Sequence, residues 1–494
     1  MSYDLLVIGG GIHGAGIARD AAGRGLRVLL VEKDGLARHT SSASSKLVHG
    51  GLRYLEYFHL RLVRESLVER ERLLAIAPHL VERRRFVLPY RSRLRPAWAV
   101  RLGLFLYDWM GPRSTLESSE GVRFAGSPYG EPLRPALRFG FAYSDCTADD
   151  SRLVILNAKD AAERGAEIRV GHRLLRATRD HDTWRAEIRN ETSGEAYVTT
   201  ARAIVNAAGP WAAEVLKGRL GAGNGKAVRL VKGSHIVVPR LYEGDQAYAL
   251  QPTDRRLVFV IPYLDDFTLI GTTDVPWPGK PGPVAIEEAE AEYLCLIVNR
   301  CFQQQILPAD VVWSFAGIRA LQEDGATRAS AVTRDYALEL DAEGGLAPVL
   351  TIVGGKLTTY RILAEQALEK LKPRLGTFAP PWTATATLPG GNIGGGDFEA
   401  LPPALSRLYP FLSDADSRRL AHAYGTRAMK LLDGVTSREE LGEEFGGGLT
   451  RREVDYLVRE EWARSADDIL WRHSKAGLFA TAEEAARLRA YVGH

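Results

Sequence analysis

Asp4-Leu5-Leu6-Val7-Ile8-Gly9-Gly10-Gly11-Ile12-His13-Gly14 runs from a short apolar stretch straight into a G-x-G-x-x-G turn. The apolar run predicts a buried parallel strand over residues 3–8. Ile12, Ala15, Ala18, Ala21 and Ala22 then supply the small apolar face of a helix that Gly25 ends, and a second strand follows at residues 27–31 with Glu32 at its tip. In that strand–turn–helix–strand setting the three glycines acquire distinct tasks. Gly9 permits the tight turn, Gly11 lets the backbone approach a pyrophosphate, and Gly14 lets helix and strand pack closely. The helix N-terminus offers unpaired N–H groups and partial positive charge to phosphates. Glu32 can accept hydrogen bonds from ribose hydroxyls, and its charge disfavours a 2′-phosphate. The stretch therefore reads as a dinucleotide site, with NADP disfavoured.

The next segment departs from a plain NAD fold. Thr40-Ser41-Ser42-Ala43-Ser44-Ser45-Lys46-Leu47-Val48-His49-Gly50-Gly51-Leu52-Arg53-Tyr54 inserts hydroxyls and glycines where another strand and helix would come. Such a run suits a loop passing close to a large polar ligand. Lys46, His49, Arg53 and Tyr54 bring four chemically useful groups into it.

The bulk numbers bound the alternatives. At 494 residues the chain exceeds one simple core, so two or more domains are expected. A net charge of +3 is too balanced to point to nucleic acid. Cys146, Cys295 and Cys301 fit neither a disulfide framework nor a zinc pattern, so no metal site and a reduced, cytoplasmic setting are expected. No secretory signal precedes the first strand, and the most apolar stretch, residues 97–110, is interrupted by Arg101 and Asp108.

With its later blocks in view, the chain resembles the FAD-dependent, aerobic, quinone-linked glycerol-3-phosphate dehydrogenases. The likeness begins in the two segments quoted above. It continues through Tyr143-Ser144-Asp145-Cys146, Asn206-Ala207-Ala208-Gly209-Pro210-Trp211 and Lys232-Gly233-Ser234-His235. It resumes at Gly271-Thr272-Thr273-Asp274, Gly354-Gly355-Lys356-Leu357-Thr358-Thr359-Tyr360-Arg361 and Ala466-Asp467-Asp468-Ile469-Leu470-Trp471-Arg472. These blocks cover nearly the whole chain in order. One departure is visible: Gly317-Ile318-Arg319 is followed by Ala320 where the family usually has proline, which is expected to loosen the backbone there without removing the charge.

The resemblance implies a D-amino-acid-oxidase-like flavoprotein of the α/β class. Its parts would be a Rossmann-like FAD-binding domain (residues 1–75, 145–225 and 315–388), an antiparallel-sheet substrate domain (76–144 and 226–314) and a helical C-terminal domain (397–494). Residues 258–262 and 267–271 read as a hairpin. Residues 379–396, including Gly390-Gly391-Asn392-Ile393-Gly394-Gly395-Gly396, read as a linker. Beyond it, Ser437-x-x-Glu440, Thr450-x-x-Glu453 and Thr481-x-x-Glu484 resemble capping boxes.

The same resemblance suggests site residues. Ser41, Ser44, Ser45, Lys46, Leu47 and His49 would contact FAD. Gly209 and Trp211 close a strand end whose small residues let the chain pass near the cofactor. Gly355, Lys356, Leu357 and Thr358 precede a helix-like stretch over residues 360–371, whose N-terminus would face the negative edge of reduced flavin. Arg319 and Arg53 are candidate phosphate clamps, because a planar guanidinium grips two oxygens. Lys356 is a third, and Tyr54 would orient substrate oxygens. His235 is the candidate general base, with His49 its rival.

The expected reaction is oxidation of sn-glycerol 3-phosphate to dihydroxyacetone phosphate, with electrons passed to a quinone. The family works on the inner face of the cell membrane. Arg83, Arg84, Arg85, Arg91, Arg93, Arg95 and Arg101, interleaved with Pro96, Trp98, Leu102, Leu104 and Phe105, form a candidate membrane-facing segment. The rival readings are a glycerol-3-phosphate oxidase using oxygen, another flavin amine or amino-acid oxidase on this fold, and a non-enzymatic dinucleotide sensor. The C-terminal domain would serve packing or association, a homodimer included.

Overall fold

A computed structural model describes residues 2–90, 96–112, 115–222, 228–252, 256–322, 335–394 and 397–493. Arg91, Arg93 and Arg95 of the basic segment, and Gly395 and Gly396 of the glycine run, lie outside the described residues.

Strand Ser2–Ile8 is the centre of the first sheet. It pairs in parallel with Val28–Glu32 on one side and with Ala196–Asn206 on the other. Glu167–Val170 and Val349–Gly354 extend the parallel set outward, and Tyr336–Asp341 closes one edge antiparallel. Leu5, Leu6 and Val7 are buried, as expected of a strand covered on both faces. Helix Ile12–Gly23 packs between helices Asp150–Glu163 and Tyr360–Leu375 on one face. The hairpin His172–Asp180/Thr183–Asn190, with fully buried Trp184, covers the other. The C-terminal ends of four parallel strands, at Ile8, Glu32, Asn206 and Gly354, lead directly into residues that line one cavity. Ligands of open α/β sheets bind at those ends.

The second sheet is largely antiparallel. Its long strand Val228–Pro239 runs between Trp313–Gln322 on one side and Phe267–Gly271 on the other. The sheet continues through Val258–Tyr263, Ala247–Leu250, Val81–Pro89 and Phe139–Ala148. The hairpin read at residues 258–271 is present, with Leu264 and Asp265 both left-handed in its turn. The domain division differs from the sequence reading at residues 145–148 of strand Phe139–Ala148, which belong to the second sheet, and at two further places. Strand Trp313–Gln322, placed from residue 315 in the flavin domain, belongs to the second sheet. So does Leu47–Val48 of the serine-rich loop. Both segments sit where the two sheets meet, so each borders both domains. Ala320 lies in that regular ladder opposite Leu230.

The C-terminal part is helical and has its own core around Leu405, Tyr424, Phe445, Val454 and Leu457. Thr481 and Glu484 form the reciprocal capping box that was read. Thr450 caps its helix, but the Glu453 carboxylate is drawn away to Arg419 and Tyr424. Ser437 is not a cap: Glu440 instead accepts the N–H of Thr436.

Candidate active site

One cavity of about 950 Å³ runs from the glycine turn of the first sheet to the second sheet. At its first end Gly9 holds φ +110°, and a side chain there would meet the Ala207 carbonyl oxygen at 2.6 Å. A Cβ on Gly14 would fall 1.9 Å from the Gly9 oxygen. Gly14 itself does not line the cavity; it lets the helix start this close to the turn. Gly11 is the residue before that helix, and the Ile12 N–H donates to Ser41 Oγ at 3.0 Å. Glu32 accepts the Gly10 N–H at 2.7 Å and the Asp34 N–H at 2.8 Å, which holds its carboxylate beside the turn. Gly209 and Trp211 line the same region, with the His39 ring 4.6 Å from that of Trp211. Gly354, Gly355, Lys356, Leu357 and Thr358 line it from the start of helix Tyr360–Leu375. Gly355, at φ +100°, leaves room for the His13 ring, and burial pushes that imidazole down to about 4.

The serine-rich loop spans the cavity and is tied down on both sides. Thr40 Oγ1 donates to the Ile318 carbonyl at 2.6 Å. Ser44 Oγ donates to Asp150 at 2.7 Å, and Lys46 Nζ donates to the other oxygen of that carboxylate at 2.7 Å. Lys46 is therefore an internal counter-ion for Asp150, and its side chain does not line the cavity. Ser41, Ser44, Ser45, Leu47 and His49 do line it. The His49 N–H donates to Thr358 Oγ1 at 3.1 Å, so the two cavity walls fix each other. Gly50 N–H reaches buried Asp145, which also accepts from Arg70 and Tyr107.

Arg53, Tyr54, Lys356, Arg319 and His49 all line the cavity. Lys356 Nζ lies 3.9 Å from the centre of the Tyr54 ring, a cation–π contact. Arg319 donates from one nitrogen to Asp274 Oδ1 at 2.8 Å and from another to Thr272 Oγ1 at 2.9 Å. Gly233 makes this possible, since a Cβ there would lie 2.4 Å from the guanidinium. Thr272 and Asp274 carried no role in the sequence reading. Their block was visible, but only the strand pairing shows that it holds Arg319.

His235 is placed differently from the expectation. It is 1% exposed and does not line the cavity. Its Nε2 lies 2.9 Å from Ser45 Oγ, so Ser45 stands between the imidazole and the cavity. Burial first, then the charges of Arg319 and Lys46, push its pKa well below the ordinary value. Of the two candidate bases, His49 is the one that lines the cavity.

On one flank the cavity is walled by Leu55, Phe58, Val100, Leu102 and Leu106, the last three from helix Ala97–Met110. Trp98, Leu102, Phe105 and Trp109 form an exposed stripe on that helix, at 69%, 50%, 47% and 74% exposure. Leu104 faces inward, contrary to its place in the sequence reading. Arg84 and Arg85 are occupied by Glu82 and Glu120, and of the four described arginines of that segment Arg83 and Arg101 are exposed. Among the described residues, no helix is long and apolar enough to cross a membrane, and no group of three or more His, Cys, Asp and Glu residues could hold a metal ion.

A glycine cradle at the ends of parallel strands, opening into a pocket on an antiparallel sheet, defines the FAD-dependent oxidoreductase class. The family model described as FAD dependent oxidoreductase matches residues 4–361, and the C-terminal domain of alpha-glycerophosphate oxidase matches residues 382–492. The chain is 53% identical to a glycerol-3-phosphate dehydrogenase of Pseudomonas aeruginosa, over 99% of this chain and 95% of that one. It is 47% identical to the aerobic glycerol-3-phosphate dehydrogenase of Escherichia coli, over 99% and 97%. It is 48% identical to the D-erythritol 1-phosphate dehydrogenase of Brucella abortus, over 98% and 96%. The FAD complex of the Bacillus halodurans glycerol-3-phosphate dehydrogenase superposes with a TM-score of 0.77 at 26% identity, covering 100% of this chain and 94% of that one. The chain belongs to the FAD-dependent glycerol-3-phosphate dehydrogenase family, and FAD is its cofactor.

Proposed function

We propose that the protein oxidises sn-glycerol 3-phosphate to dihydroxyacetone phosphate and passes the electrons to a membrane quinone. The observation that carries this is that Arg53, Arg319, Lys356 and His49 line the same cavity as the glycine cradle. Bound FAD supplies the two-electron acceptor for the hydride of the carbinol carbon. The residues do the rest. Arg319, aligned by Asp274 and Thr272, and Arg53 grip the phosphate, and Lys356 adds charge beside Tyr54. Tyr54 orients the substrate oxygens. An imidazole nitrogen of His49 takes the C2 hydroxyl proton as the hydride leaves. The sequence reading gave this role to His235, but that ring reaches the cavity only through Ser45. Holding the carbinol carbon and its acceptor near contact distance contributes much of the rate.

The acceptor side rests on helix Ala97–Met110. Its aromatic stripe suits the interfacial layer of a bilayer, and Leu102 belongs both to that stripe and to the cavity wall. A lipid-soluble quinone would reach the cavity along this face, with the protein peripheral on the inner surface of the cell membrane.

The test is the visible spectrum of purified protein titrated without oxygen. Glycerol 3-phosphate should bleach the flavin bands, and a quinone analogue should restore them. Bleaching by D-erythritol 1-phosphate but not by glycerol 3-phosphate would transfer the assignment to the four-carbon substrate. Rapid peroxide release under air would favour an oxidase.

A further inference from the structure

His235 is a buried imidazole that the proposed reaction does not use. On strand Val228–Pro239 it stands between Gly271 and Phe315 in the ladder. Gly271 supplies the space, since a Cβ there would lie 2.1 Å from the ring. Phe315 stacks on the other face, with centroids 4.8 Å apart and planes 15° off parallel. Phe315 in turn meets Trp313 at 4.9 Å, and Trp313 stacks on Trp471 of the C-terminal domain at 4.8 Å and 19°. The imidazole is thus clamped in a row of rings that reaches into another domain. Such rigidity is out of proportion to a space-filling histidine.

Its hydrogen bonding is one-sided. Nε2 faces Ser45 Oγ at 2.9 Å, and Nδ1 is buried with no partner among the described residues. A neutral imidazole carries one N–H and one lone pair. An unpaired buried N–H is rarer and costlier than an unfilled acceptor. The proton therefore belongs on Nε2, donated to Ser45 Oγ, and the Ser45 hydroxyl keeps its own proton to give. Ser45 lines the cavity. Its support, strand Val228–Pro239, also carries Gly233, against which Arg319 packs, and the Arg319 charge acts on His235, which sets Ser45 on the Arg319 side of the cavity.

We propose that His235 is a positioning residue that acts through Ser45, fixing its hydroxyl as a donor to an acceptor atom of the isoalloxazine ring. This rests on the flavin-site reading above. A donor held there stabilises the electron-rich reduced ring, so the pair sets how readily the cofactor accepts electrons.

The experiment compares the reduced-to-oxidised ratio of the flavin in holoprotein, poised at one fixed potential against a reference dye, with no substrate present. Ser45→Ala should lower that ratio about tenfold, equal to ~30 mV for a two-electron couple. His235→Phe, which keeps a stacking ring but removes the donor, should lower it similarly, and the double variant should add little. His235→Gln, whose amide N–H can replace Nε2–H, should return the ratio to within about twofold of the unaltered protein. An unchanged ratio in Ser45→Ala would overturn the proposal, as would additive effects in the double variant. If His235→Phe does not retain FAD, Ser45→Ala and His235→Gln decide alone. A His235→Gln protein of normal ratio whose reduction by glycerol 3-phosphate slows a hundredfold would also overturn it, because the imidazole would then be the base. Failure of glycerol 3-phosphate to bleach unaltered protein would count against the substrate assignment only.

Discussion

Arg319 donates to Asp274 across 2.8 Å, from a strand and a turn that the sequence separates by 45 positions. With Thr272 the carboxylate holds the guanidinium beside Gly233, and Arg319, Asp274, Arg53 and Lys356 all line the same cavity.

Arg319→Ala should therefore lower kcat/KM for glycerol 3-phosphate by about a hundredfold or more, the scale of one or two charge-assisted hydrogen bonds. Arg319→Lys should restore little, because an ammonium cannot reproduce the fork. Asp274→Asn should act mainly on KM, by about tenfold, through loss of alignment. Steady-state kinetics with a soluble quinone analogue would check this. An unchanged KM in Arg319→Ala would remove the phosphate assignment.

His49→Ala should slow anaerobic flavin reduction by about a hundredfold to ten-thousandfold while FAD content stays normal. Stopped-flow absorbance reads the first and the protein-to-flavin ratio the second. Thr358→Val, which deprives the His49 N–H of its acceptor, should give a smaller loss in the same direction. Normal reduction in His49→Ala would mean that another group takes the proton.

The helix stripe makes a separate claim. Replacing Trp98 and Trp109 together with serine should weaken co-sedimentation with anionic lipid vesicles without altering reduction by glycerol 3-phosphate. Binding of the unaltered protein should weaken as salt rises, through screening at exposed Arg83 and Arg101. Undiminished vesicle binding by the double variant would place the membrane contact elsewhere.

Cys146, Cys295 and Cys301 are all buried, and burial pushes the Cys295 thiol up to about 11 and that of Cys146 higher still. Thiolate is the reactive form. A folded sample at pH 7.5 should thus react negligibly with a chromogenic disulfide reagent, and full reaction should need denaturant. Fast labelling of a native thiol would argue against their packing role.

The dinucleotide turn was legible because its requirements are local. Gly9 needs a positive φ, Gly14 needs the absence of a Cβ, and both are written in consecutive residues. Arg53, Tyr54, Arg319 and Lys356 were legible through the blocks that contain them, and all four line the cavity. The partner of Lys46 was not legible, because nothing near it in the chain reveals Asp150, 104 positions away, which claims its charge. Leu104 was misplaced for a related reason. Helical spacing says which residues share a face with Trp98, but not which face the rest of the protein covers.

The amino-acid order alone determined the dinucleotide turn, because its glycines act at short spacing, and the flavoprotein class followed from blocks that resemble a known family. Only the tertiary structure decided which of the two candidate bases, His49 or His235, lines the cavity. Strand periodicity presents His235 to one face of the sheet, and the loop that brings Ser45 between it and the cavity is nearly two hundred residues away. Long-range pairing, not local propensity, chooses what stands in front of a side chain.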